Sequence, residues 1–243
     1  MVKGGGSRSR SGGAKGRPSP KQAAKRTPAA RRAARPAPSP AAPPPPAELF
    51  RLGAIPGATP GKWIDAWRER MPRTELVLAA LAVADQRRAL VDDEVDAALV
   101  RLPIDREDLH VIALYEEVPV VVVSAESHLS LAEELELADL AGEVVIRPRD
   151  DVLAVEVPGG LPPRFDPPAD TAEAIATVAT GVGIVIVPMS LARLHHRKDV
   201  VHRPLRDGPA SSVALAWVAA RTTTEVEAFV GIVRGRTARS SRA

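Results

Sequence analysis

The chain contains no cysteine, which removes disulfide staples, thiolate nucleophiles and sulfur-ligated zinc at once and fits a reducing compartment. Aromatic residues make up only 3% of the sequence, so a core must be aliphatic, as in parallel α/β sheets. Long hydrophobic runs are missing too. The longest, such as Val118 to Val123, are far too short to cross a bilayer, and the basic N-terminus lacks the apolar centre of an export signal. The expectation is a cytoplasmic protein with no membrane partner. Acid is absent from residues 1–47, which hold eleven Lys or Arg; the whole chain carries +3, so residues 48–243 carry −8. A cationic arm is joined to an acidic body.

What is present in residues 1–47 is Gly, Ser, Ala, Pro, Lys and Arg, ending in Pro43 to Pro46. So little apolar surface cannot offset ordering entropy, and a disordered arm is expected. Its cations, among them Lys21, Lys25, Arg26, Arg31, Arg32 and Arg35, suit non-specific contact with nucleic-acid phosphates; a solvated linker without a partner is the plainer alternative. The remainder, with 45% hydrophobic residues over the chain, suffices for one or two domains.

The body reads as α/β. Leu49 to Ile55 alternates into a strand, a Pro56-Gly57-Ala58 turn follows, and Thr59 caps a helix with Pro60 at its first position, closed by Pro72. Thr74 to Ala80 and Val95 to Val100 are strands, with a helix starting at Asp85 between them. Leu109 to Tyr115 and Val118 to Val123 are two more, the second an unbroken valine run at its end. Glu143 to Ile146 reads as a strand, Arg147 to Ala169 as irregular. Asp170 and Glu173 form a capping box before a helix, Gly181-Val182-Gly183 turns the chain, and Ile184 to Val187 is a strand stopped by Pro188. Ser190 to His196 is helical, Val213 to Val218 the last strand, and Thr224 with Glu227 caps an amphipathic closing helix.

In open α/β sheets ligands gather at the carboxyl ends of the strands. Thr59 stands there at a helix start, and Arg101 at the end of its strand. A planar, permanently charged fork suits a carboxylate; an ordinary ion pair with Asp105 or Glu107 is the equal alternative. His195-His196 diverge on a helix and have no complete ligand set around them, so no metal is expected. No cofactor and no catalytic residue are identified, since no base and nucleophile pair up in the sequence.

Seven landmarks in order carry a resemblance: FRLGAI, a helix ending in Arg70-Met71-Pro72, TELVLAA, VDAALVRLP, LYEEVPVVVVSAESHLS, LELADLA and VATGVGIVIVP. From Leu49 to Arg236 the chain resembles the effector-binding (substrate-binding) domain of LysR-type transcriptional regulators. The resemblance implies the type 2 periplasmic-binding-protein fold: two α/β lobes with a central cleft, lobe one 48–116 and 206–243, lobe two 117–205, as one domain 48–243 behind the arm 1–47. It implies a small-molecule effector, held at Ala58 and Thr59, at Arg101, at the second-lobe loop Ser124 and Ala125, and at Thr171, in a homodimer. Three departures stand out. The basic arm occupies the place of the family's winged helix-turn-helix; Asp92-Asp93-Glu94 replaces a common glycine; and the loop after Val123 reads Ser-His-Leu without the usual proline. The leading reading is a non-catalytic ligand-sensing regulator of a small anionic metabolite, its arm able to touch nucleic acid. An architectural DNA-binding protein whose globular part only dimerises is the alternative, and an enzyme on the same fold the third.

Overall fold

The computed structural model describes residues 48–235. The expectations for the arm, including its six named cations, and for the basic end lie outside the described residues. In chain order the elements are β1 (Glu48–Ala54), α1 (Gly61–Arg70), β2 (Thr74–Ala80), α2 (Gln86–Val91), β3 (Ala97–Arg101), β4 (Leu109–Glu117) and β5 (Pro119–Ser124). They continue with α3 (Thr171–Val178), β6 (Val185–Pro188), α4 (Met189–Leu194), β7 (Val200–Pro204), β8 (Ser211–Val218) and α5 (Thr224–Val233).

The strands form two sheets, one per lobe. The first is ordered β2-β1-β3-β8-β4 and the second β6-β5-β7. β1 runs parallel to β2 and β3, whereas β8 is antiparallel to both β3 and β4. The chain passes from the first sheet to the second between Glu117 and Pro119, and back between Pro204 and Ser211.

The two-residue period of a strand explains how each sheet acquires two cores. In β3, Ala97 and Leu99 point to one face and Ala98 and Val100 to the other. In β5, Val120 and Val122 face α3 and α4 while Val121 and Val123 face the opposite layer. All six residues of β5 are buried, the pattern of a central strand covered on both sides. The buried aromatics sit in the first lobe: Phe50 stacks on Trp67 at 4.6 Å between ring centres, Phe229 of α5 lies 5.4 Å from Phe50, and Trp67 Nε1 donates to the Thr74 carbonyl at 3.1 Å. The two core clusters of the second lobe are aliphatic throughout.

Several local expectations are corrected. Thr59 does not cap α1, which begins at Gly61 with Pro60 in the capping position and no side-chain cap. The closing helix is capped one residue earlier than expected, by Thr223, whose hydroxyl accepts from Val226 N–H at 3.3 Å. At α3 the Asp170 carboxylate accepts from Glu173 N–H at 2.8 Å as expected, but Glu173 reaches back to Ala169 N–H rather than to Asp170. Glu143 to Ile146 makes only isolated bridges, Val144 to Leu161 and Val145 to Ile184. Its neighbour Leu161 belongs to the irregular segment, so no ladder can propagate. β7 was not foreseen: its VVHRP sequence is half-buried at every position and shows no alternation. Among the described residues no helix is long and apolar enough to cross a membrane.

The cap assignment is directly testable. Thr223→Ala should lower unfolding free energy by about 1 kcal/mol, while Thr224→Ala should stay within about 0.5 kcal/mol of the parent, both read from urea denaturation.

Candidate functional site

Arg101 ends β3, and its side chain, 2% exposed, lies where the two lobes are joined. Its Nη1 donates to Glu117 Oε2 at 2.8 Å and to the Ser211 hydroxyl. Glu117 is the last residue of β4 and Ser211 the first of β8, and the two are paired across the sheet. One nitrogen therefore ties together both strands at which the chain crosses between lobes. The ion-pair partner is Glu117, not Asp105 or Glu107; Asp105 instead pairs with Arg87 at 3.1 Å.

Gln86, buried at the start of α2, fixes the backbone of Arg101: its Nε2 donates to the Arg101 carbonyl and its Oε1 accepts from Arg101 N–H, both at 2.8 Å. The glutamine acts as one rung of an extra strand and holds the β3 terminus rigid. With Nη1 engaged, Arg101 Nε and Nη2 remain buried without a hydrogen-bond partner.

Arg101 lines a cavity of about 640 Å³ between the lobes. The first lobe contributes Pro56 after β1, Ala82 to Ala84 after β2, and Arg101 to Pro103 after β3, so all three parallel strands deliver their carboxyl ends to it. The second lobe contributes Arg149 to Val152, Ala169, Asp170 and the α4 residues Leu191 and Leu194, with His195 beyond. The walls are largely apolar, and the charges are unevenly committed. Asp150 accepts from the Thr171 hydroxyl at 2.9 Å, Asp151 from Leu153 and Ala154 N–H at 3.0 and 3.2 Å, and Asp170 caps α3. Each of these carboxylates has one oxygen engaged by its own loop, whereas Arg101 Nε and Nη2 have no protein partner.

The expected site residues are distributed as follows. Arg101 lines this cavity. Thr171 is buried behind it and positions Asp150. Ala58 and Thr59 line a second cavity, of about 650 Å³, on the other side of the β1–α1 turn. Ser124 and Ala125 line neither of these two cavities. β5 starts at the lobe junction, where Pro119 pairs with Pro188, and runs away from it, so Ser124 is about 17 Å further on at strand rise. There Ser124 Oγ accepts from Glu126 N–H at 3.3 Å and Ala125 N–H donates to Asp199. Sequence reasoning missed Glu117, Ser211 and Gln86. Only the Glu116-Glu117 interruption between two apolar runs signals one of them. Among the described residues no cluster of His, Cys, Asp and Glu could hold a metal ion.

Breaking a buried pair leaves an uncompensated charge, whereas replacing both members need not. Glu117→Leu should therefore destabilise the protein by about 3–5 kcal/mol, and the double variant Arg101→Met/Glu117→Leu should recover most of that loss in the same urea titration.

Comparison with known proteins places the fold and the chain. The structure of the oxidized form of OxyR superimposes with a TM-score of 0.62 at 20% identity, covering 78% of this chain and 96% of that one. The BenM effector binding domain with its effector benzoate superimposes with a TM-score of 0.63 at 20% identity, covering 81% and 95%. These are periplasmic-binding-protein-like folds of two α/β lobes. In sequence, the HTH-type transcriptional regulator CatR of Pseudomonas putida is 35% identical over 147 residues, 57% of this chain and 50% of CatR. The Hca operon transcriptional activator HcaR of Escherichia coli (strain K12) is 25% identical over 205 residues, 77% of this chain and 67% of HcaR. The chain thus spans about half the length of the first of these relatives. The LysR substrate binding domain family matches residues 45–238, nearly all of the two-lobed body, and the chain belongs to that family.

Proposed function

We propose that the protein is a non-catalytic, ligand-sensing regulator in which a small anionic metabolite, a carboxylate, binds in the interlobe cavity against Arg101. The observation that carries this reading is that Arg101, a residue of the cavity lining, keeps two guanidinium donors, Nε and Nη2, buried without a protein partner. A buried donor without an acceptor is costly, and a bidentate carboxylate supplies two acceptors in the geometry of the fork. The remaining nitrogen of the same group holds both crossover strands, so a ligand that draws on Arg101 acts on the joint between the lobes. Binding then favours one lobe arrangement over another, which is what differential affinity for two states requires. The relatives support the regulatory side: CatR and HcaR are by name a transcriptional regulator and an operon activator. BenM, whose effector is benzoate, offers a carboxylate precedent on the same fold.

The finer assignments follow the same reading. Arg149 closes the cavity from the second lobe, Thr171 holds Asp150 in place, and Ala58 and Thr59 flank the site from the adjoining cavity. Lys21, Lys25, Arg26, Arg31, Arg32 and Arg35 of the arm contact nucleic-acid phosphates without reading base sequence. The working form is a cytoplasmic homodimer with a small-molecule effector.

A thermal-shift screen of the full chain against carboxylate metabolites, followed by calorimetry on the hits, tests the site. Arg101→Lys keeps a charge opposite Glu117 but removes the fork, and should weaken a carboxylate hit about 10-fold or more; equal binding by this variant would refute the anion site. Deleting residues 1–47 should abolish salt-sensitive DNA binding in fluorescence anisotropy and leave carboxylate affinity unchanged. Retained DNA binding would remove the arm from the account.

A further inference from the structure

The second cavity adjoins the first, and Leu194 lines both. Pro56 lines the first cavity and the next residue, Gly57, the second. Gly57 has φ +85° and packs so closely on Ser190 that a side chain there would collide with the serine Oγ and Cβ. The lobes touch at this point, and the contact stands between the two spaces.

The second cavity is lined by groups of both signs from different parts of the molecule: Glu116 near the end of β4 at the lobe junction, and Arg193 of α4 in the second lobe. Among the described residues neither side chain forms an ion pair or a hydrogen bond, with the other or with any third group. Ser190 Oγ is buried without a partner. Val118 and Leu194, 52% and 54% exposed, give the cavity an uncovered apolar wall. A simple anion would meet Glu116 and a simple cation Arg193, so a guest carrying one charge of each sign matches the pair better than either.

We propose that this cavity is a separate site for a free α-amino acid with an apolar side chain, its ammonium on Glu116, its carboxylate on Arg193, and its side chain against Val118 and Leu194. The Ser190 hydroxyl supplies a further hydrogen bond. Tyr115, also on the lining, remains a protonated donor, because burial and then the negative charge of Glu117 raise its pKa above the ordinary phenol value. On the Arg193 side there is positive charge to relieve: burial first, then Arg193, Arg203 and His196, hold the His202 imidazole below its ordinary pKa. This site does not depend on the carboxylate reading of the first cavity.

The test is calorimetric titration of the full chain with L-alanine, L-valine, L-leucine and L-methionine, and with N-acetyl-L-leucine and L-leucine amide, which each lack one of the two charges. At least one free amino acid should bind. For leucine or its best-binding analogue, the charge-blocked forms should bind at least 10-fold more weakly. Glu116→Gln and Arg193→Gln, both at exposed positions, should each weaken binding at least 10-fold, and Arg68→Gln on the far helix α1 should not. Binding should also raise the His202 pKa, followed by NMR titration. Failure of all four amino acids to bind, equal binding of the blocked forms, or binding that survives both substitutions would overturn the proposal. Loss of carboxylate binding at Arg101 would leave it standing.

Discussion

The structure is organised around one buried guanidinium. Arg101 joins β3 to the ends of β4 and β8, and these are the two places where the backbone leaves and re-enters the first lobe. A buried ion pair is weak evidence for stability, since desolvation consumes much of the attraction. Its value here is geometric. Glu117 and Ser211 are already held together by their own β pairing, and the guanidinium adds a tie from both to the end of β3. Gln86 ensures that Arg101 cannot simply slide to follow them, because its amide locks the backbone at the strand terminus.

The parts of this arrangement that the sequence displays are those set by local chemistry. Apolar runs with flanking turn residues placed most of the strands, and Asp170 placed α3, because side-chain period and capping are written in consecutive residues. The parts it hides depend on residues far apart in the chain. Asp105 and Glu107 were natural partners for Arg101 by proximity, yet Glu117, sixteen residues on, is its partner, because β3 and β4 both run antiparallel to β8 and end on either side of its start. Ser124 sits at the end of a strand, as expected, but which strand end faces the cleft depends on where β5 enters its lobe. Thr59 illustrates a third kind of ambiguity: Thr-Pro-Gly can begin a helix at several positions, and here Pro60, with no N–H to satisfy, takes the capping place itself.

Where the family's common glycine is replaced, the substitution is absorbed. Asp93 adopts a left-handed φ of 61°, which aspartate tolerates better than most residues. Its carboxylate also pairs with Arg51 at 3.1 Å and approaches Arg221 at 3.6 Å. The turn that precedes β3 is therefore anchored to β1 and to the segment before α5. A position that usually supplies only backbone freedom has become a tie between three parts of the first lobe.

The uneven placement of aromatic residues has an optical consequence. Trp63, Trp67 and Trp217 all belong to the first lobe, and the second lobe has no buried aromatic ring to compete with them. The chain's one tyrosine, Tyr115, lies at the junction between the lobes. Indole emission is in effect a private channel for the first lobe, and phenol absorbance one for the hinge, so that unlabelled protein already carries two reporters at the positions where movement of the lobes would be read.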